Sequence, residues 1–366
     1  MTFDIHMSNP AATRSDVQAV ASALQASSPH GSTHLAAFEE TMALRTARTH
    51  AVAIASAEQA LPTLLAAMGI TNGREVILPA LGETACLRAV RRVGATPRFA
   101  ECDPGTLVPQ AATTEAVMTN KTAAVITAHG DGWGSGLPKI ADACARREIP
   151  FIELVGTKIG STCAGALAGS LGRAAIIDLS TRSIISGGEG AVIVTDDKCL
   201  ADRCRGGDYT QCDNPHRADP MAELNAALAL SQAGRLSSII TRCTSAAEQY
   251  MVGLSSIPEL LLPATTPDTQ SSWSRYVVRL DETFSASDRD EIIRGMQRHD
   301  IAAGVGLVHL PSVWDAAIEG ECPISASIAT RTIALPIHAD LTGRDIDLIC
   351  QTLQLMIQRA TFSKAS

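Results

Sequence analysis

Residues 13–25, TRSDVQAVASALQ, set Val17, Val20 and Leu24 at helical spacing behind a hydroxyl cap, which predicts an amphipathic helix. A second helix is expected over HLAAFEETMALRTA, and AVAIAS (51–56) then forms an unbroken apolar run of strand length. AEQALPTLLAAMGI follows as a helix, with Pro62 tolerable only within its first turn. Strand and helix then alternate through EVILPA, ETACLRAVRRVG, TPRFAECD, KTAAVITAHG, LPKIADACARRE and PFIEL. Fully apolar strands between helices of this length predict an α/β fold, a mostly parallel sheet covered on both faces. Ligands of such sheets lie at the carboxyl ends of the strands.

The stretch from Phe151 to Ile193 reads as strand, helix, strand, turn and strand, with Lys158 on the helix after Leu154. Beyond it, a long helix is expected from Met221 to about Leu236 and another from Ile239 to Leu254. SRYVVRL, IAAGVGLVHL and TRTIALPI are then strands, and the stretches after Ser285 and Thr342 are helices. The expected organisation is a large α/β domain over 1–245 and a small α+β domain over 246–366.

Composition narrows the function classes. Hydrophobic residues at 46% and a mean hydropathy of +0.12 suit a globular chain, while its longest apolar runs fall far short of a membrane span. No secretory signal is visible at the N-terminus, so the cytoplasm is the expected compartment. A net charge of -8 with scattered Lys and Arg argues against nucleic acid, and points to a small molecule or another protein. The ten cysteines include no CxxC pair; Cys199, Cys204 and Cys212 are the closest group, and no metal site is expected from them.

The segments HLAAFEE, AVAIASAEQALPTLLAAMGI, KTAAVITAHGDG, FIELVGTKIGS, SGGEGAVIVTDD and IALPIHADLTGRDID keep their order over residues 10–358. Together they resemble the DegT/DnrJ/StrS family of nucleotide-sugar aminotransferases, pyridoxal phosphate enzymes of fold type I. The resemblance implies an aspartate-aminotransferase-like fold and a dimer in which each pocket is completed by the partner subunit.

It also implies a register in which five cofactor positions carry other residues. The Schiff-base lysine falls on Ser183, and a serine cannot form an imine. The aspartate that pairs with the pyridine nitrogen falls on Leu154, and Glu153 cannot replace it because neighbouring strand residues face opposite ways. The phosphate-binding threonine falls on Glu58, with Asp178 replacing a nearby serine, and both carboxylates oppose a phosphate. The aromatic cover of the ring falls on Glu83, and the partner's polar motif becomes Ala218, Asp219 and Pro220. No cofactor is therefore expected.

Glu58, Glu83 and Asp178 are expected beside the emptied cleft as catalytic acid and base groups, joined by His129 and Ser183, with Asp131, Ser180 and Arg182 binding substrate. The alternative for the three acids is that they fill or solvate an abandoned pocket. His338 and Glu189 are read as structural. Three functions follow: a cofactor-independent enzyme acting on a small polar metabolite of a sugar or natural-product pathway; a non-catalytic subunit paired with an active enzyme; or, should the register be wrong, a conventional pyridoxal phosphate-dependent aminotransferase. A homodimer is expected, with a heterodimer as the alternative.

Overall fold

The computed structural model describes residues 3–9, 12–25, 33–129, 136–206, 218–263, 268–314 and 322–365. Its centre is a seven-stranded sheet in the order His50–Ile54, Ala191–Thr195, Ala174–Asp178, Phe151–Gly156, Thr122–Ala128, Glu75–Pro79, Thr96–Ala100. The last five run parallel, and Ala191–Thr195 is antiparallel to both its neighbours. Their near-continuous burial explains the absence of polar alternation in the sequence, because helices cover both faces. A second, antiparallel sheet of Leu260–Leu261, Tyr276–Leu280, Thr332–Leu335 and Gly304–Val305 packs with helices Ala286–Arg298 and Gly343–Ala365. One apolar core reaches from the large sheet to this smaller one, with Tyr250 stacked 4.7 Å from Tyr276 and donating its hydroxyl to the Pro336 carbonyl at 2.7 Å.

Four helices bear on the site or its surroundings: α1 (Arg14–Gln25), α2 (Thr33–Arg45), α3 (Ala57–Ala67) and α4 (Thr84–Arg92). α1 forms as expected but turns its apolar stripe outward: Val17 and Leu24 are 67% and 68% exposed, whereas Asp16 is buried. Ser231 and Arg235 each donate to Asp16 at 2.6 Å, and Thr13 donates its N–H at 2.8 Å. Burial raises the Asp16 carboxyl, but these donors outweigh it and hold its pKa below the ordinary value.

Three expectations need correction. Pro62 sits in the second turn of α3, not the first, and gives up the hydrogen bond to the Glu58 carbonyl inside an otherwise buried helix. The two helices expected over Met221–Leu236 and Ile239–Leu254 run instead over Glu223–Ala233 and Leu236–Leu254, meeting at Gly234 and Arg235. No helix follows Leu154. Gly156 (φ 55) and Gly160 (φ 84) enclose Thr157, Lys158 and Ile159 in turns, and a Cβ on Gly160 would meet Ile240 at 2.4 Å. Among the described residues, no helix is long and apolar enough to cross a membrane.

Candidate functional site

The carboxyl ends of the parallel strands open into a cleft of about 190 Å³. Pro79, His129, Leu154 and Asp178 line it from the strand ends, Glu58 and Glu83 from the starts of α3 and α4, and Arg275 and Leu307 from the smaller sheet's side. Five of the expected residues, Glu58, Glu83, His129, Asp178 and Arg182, do converge here.

Their environments differ. Glu58 lies at the rim, 72% exposed, and pairs with Arg88 at 3.0 Å. Glu83 caps α4 without a side-chain hydrogen bond and lies 3.8 Å from the Arg275 guanidinium. Asp178 closes its strand and accepts both the Ser180 N–H at 2.7 Å and the Ser180 hydroxyl at 3.0 Å. Burial pushes the Asp178 pKa above its ordinary value, and the charge of Glu83 adds to the rise despite Ser180 and Arg182. Ser180 is thus a support of Asp178.

His129 borders the cleft, yet its Nε2 is hydrogen-bonded to the carboxylate of Glu153. Glu153 is fully buried on the far side of its strand, where it also accepts the N–H groups of Gly169 at 2.8 Å and Leu171 at 3.0 Å. Strand alternation therefore leaves Leu154 on the cleft wall and Glu153 behind it. Asp131 lies outside the described residues.

Ser183 is set apart from this group. It is 4% exposed and lines a separate cavity of about 10 Å³ with Ser8, Asn9, Ser274 and His338, and its hydroxyl has no hydrogen-bond partner among the described residues. The tight turn from Asp178 to Ala191 fixes this orientation: Leu179 exchanges backbone hydrogen bonds with Gly187 and Gly190. Gly190 (φ 125) adopts a backbone conformation that side chains rarely take, and a Cβ there would lie 3.0 Å from the Ile54 carbonyl. Glu189, expected to brace this turn, instead reaches the first N–H of α3, where Ala57 donates to it at 3.5 Å. The adjoining Glu58 N–H is taken by the Ser56 cap at 3.3 Å.

Residues 10–354 match the DegT/DnrJ/EryC1/StrS aminotransferase family. The chain belongs to that family. As a DegT/DnrJ/EryC1/StrS member it is 27% identical over 347 residues to the spore coat polysaccharide biosynthesis protein SpsC of Bacillus subtilis, covering 88% of this chain and 89% of SpsC. Its fold matches the aminotransferase TlmJ of Streptoalloteichus hindustanus with a TM-score of 0.87 at 24% identity, over 98% of this chain and 100% of TlmJ. It matches the pyridoxamine phosphate form of Spr1654 of Streptococcus pneumoniae, described as a sugar aminotransferase, with a TM-score of 0.90 at 20% identity over the whole of both chains. At these identities the two structures speak for the fold alone.

Sequence reasoning missed Lys158, Arg88 and Arg275 as cleft residues. The paired glycines around Thr157–Ile159 were the available signal for Lys158, because they forbid the helix that would carry it away. Arg275 had none: it arrives from the smaller sheet's side, far along the chain from the strand ends it faces.

Proposed function

We propose that this family member works without pyridoxal phosphate and uses its cleft for acid and base chemistry on a small polar metabolite of a sugar or natural-product biosynthetic pathway. The observation that carries the reading is Asp178, a carboxyl with a raised pKa at a strand end in an open cleft. A carboxyl so placed can keep its proton at higher pH than an exposed one and hand it to a leaving oxygen, then recover it. Ser180 fixes its orientation, and Glu83 with Arg275 and Glu58 with Arg88 offer paired charges to ligand hydroxyls. The pathway class is carried over from the relationship to SpsC.

The residues present do not fit the cofactor that the family implies. Ser183 lacks an amine and turns to another cavity, Leu154 offers no carboxylate to a pyridine nitrogen, and the first N–H of α3 is met by Glu189 with Glu58 beside it. The test is to incubate the protein with pyridoxal phosphate, remove the excess, and record absorbance and intact mass. No aldimine band and no added mass are expected; a retained band would sink the reading.

A second reading, a partner subunit, rests on the outward faces of α1 and α2, where Val17, Leu24 and Leu44 are each at least 67% exposed. Sedimentation of the protein alone should show a homodimer if these faces meet in a second copy. A monomer that dimerises only with an active aminotransferase would favour the subunit role.

A further inference from the structure

Lys158 follows the strand Phe151–Gly156, lines the cleft, and is only 8% exposed. Lysine is among the residue types least often buried. Much of the wall around it is apolar, with Leu61, Leu81, Leu154 and Ile176 facing the same space. Asp178 and Arg182 border that space as well.

We propose that Lys158 captures a carbonyl: its amine condenses with the aldehyde or ketone of a small, uncharged hydroxycarbonyl ligand bound in the cleft. The inference rests on the reading of the cleft as free of pyridoxal phosphate. The ammonium first gives up one proton, and the nitrogen lone pair then forms the N–C bond as the carbonyl π pair moves to oxygen. The carbon–oxygen bond breaks as that oxygen, twice protonated, leaves as water, and a protonated imine remains. In sum, ammonium and carbonyl give iminium and water, with no oxidant or reductant required. Asp178 is the group that can protonate the departing oxygen. At the rim Glu58 is matched by Arg88 and Glu83 by Arg275, so neither pair offers a ligand net charge. Glu58 and Glu189 at the start of α3 disfavour a phosphorylated one.

The test uses glycolaldehyde with sodium cyanoborohydride, which reduces an imine to a stable hydroxyethyl amine, followed by peptide mapping. The chain has five lysines, so each can be followed separately. The expected result is modification of Lys158 about tenfold faster than of the other four, as a positioned amine and acid would give. Lys158→Arg keeps the charge and should lose the fast phase while keeping the wild-type melting temperature; Asp178→Asn should slow it. Equal rates at all five lysines, or an unmodified Lys158, would overturn the inference. Such a failure leaves the cofactor-free reading standing, since that reading is decided by absorbance with pyridoxal phosphate.

Discussion

The imidazole Nε2 of His129 meets the carboxylate of Glu153 behind the cleft wall, with the histidine 6% and the glutamate 0% exposed. Burial raises the Glu153 carboxyl, but the His129 hydrogen bond and charge and the two backbone N–H groups outweigh it, so its pKa lies below the ordinary value. A lowered folded pKa gives stability that is fully present above the unfolded value and is lost as pH falls through the folded one. Breaking a buried pair by removing one charge costs about 3–5 kcal/mol. Glu153→Gln should lose stability of that order in urea denaturation at about pH 7, with the deficit shrinking at about pH 3. A deficit that does not change with pH would remove ionic pairing from the account.

Asp178 carries the opposite sign. Its folded pKa is raised, so the ionised carboxylate weakens the fold, and the cost sets in as pH rises through and above the ordinary aspartate range. An asparagine can still accept the Ser180 N–H. Asp178→Asn should therefore melt higher than wild type at neutral pH, and the gap should close as pH falls through the carboxylate range. Calorimetric scans across that range check it; a variant less stable at every pH would mean that the ionised form is the one the fold prefers.

Much of this geometry was legible because the period of a strand is fixed. Alternation alone separates Leu154 from Glu153, and the register implied by the family resemblance is what brings Glu58, Glu83 and Asp178 together. What stayed hidden depends on long-range contacts. Val17, Val20 and Leu24 announce a helix but not the side it shows to solvent, which is decided by Ser231 and Arg235 drawing Asp16 inward. The direction of the Ser183 hydroxyl likewise follows from a turn pinned to Gly187 and Gly190, and Arg275 reaches the cleft only through tertiary folding.

The Ser183 hydroxyl is buried without a hydrogen-bond partner among the described residues, so it bears a desolvation cost that none of them offsets. Ser183→Ala should be neutral or stabilising by up to about 1 kcal/mol in chemical denaturation. Ser183→Lys must instead push a long cation into a space of about 10 Å³. Overpacking of this kind costs roughly 1–3 kcal/mol before the charge is counted. The lysine variant should melt lower than wild type and show no aldimine absorbance with pyridoxal phosphate, because its amine points away from the cleft. An aldimine in that variant would mean that the turn can reorient, and that a single substitution separates this chain from its cofactor-using relatives.

The start of α3 offers the sharpest test of why a phosphate is disfavoured. A helix N-terminus attracts anions through its free N–H groups and its dipole. Here the anion is supplied by the chain: Glu189 accepts from Ala57, and Glu58 adds a second carboxylate in the first turn. A phosphate would have to displace one and face both, a repulsion of about 1 kcal/mol at a solvated rim where Glu58 is 72% exposed. Glu58→Thr combined with Glu189→Gln removes both charges and restores a hydroxyl beside the N–H groups. Titration calorimetry with inorganic phosphate should then show binding on the order of millimolar in the double variant and none in wild type. Binding by the wild-type protein would show that the carboxylates tolerate an anion, whereas no binding by the double variant would place the obstacle in the Ser56 cap, which already holds the Glu58 N–H.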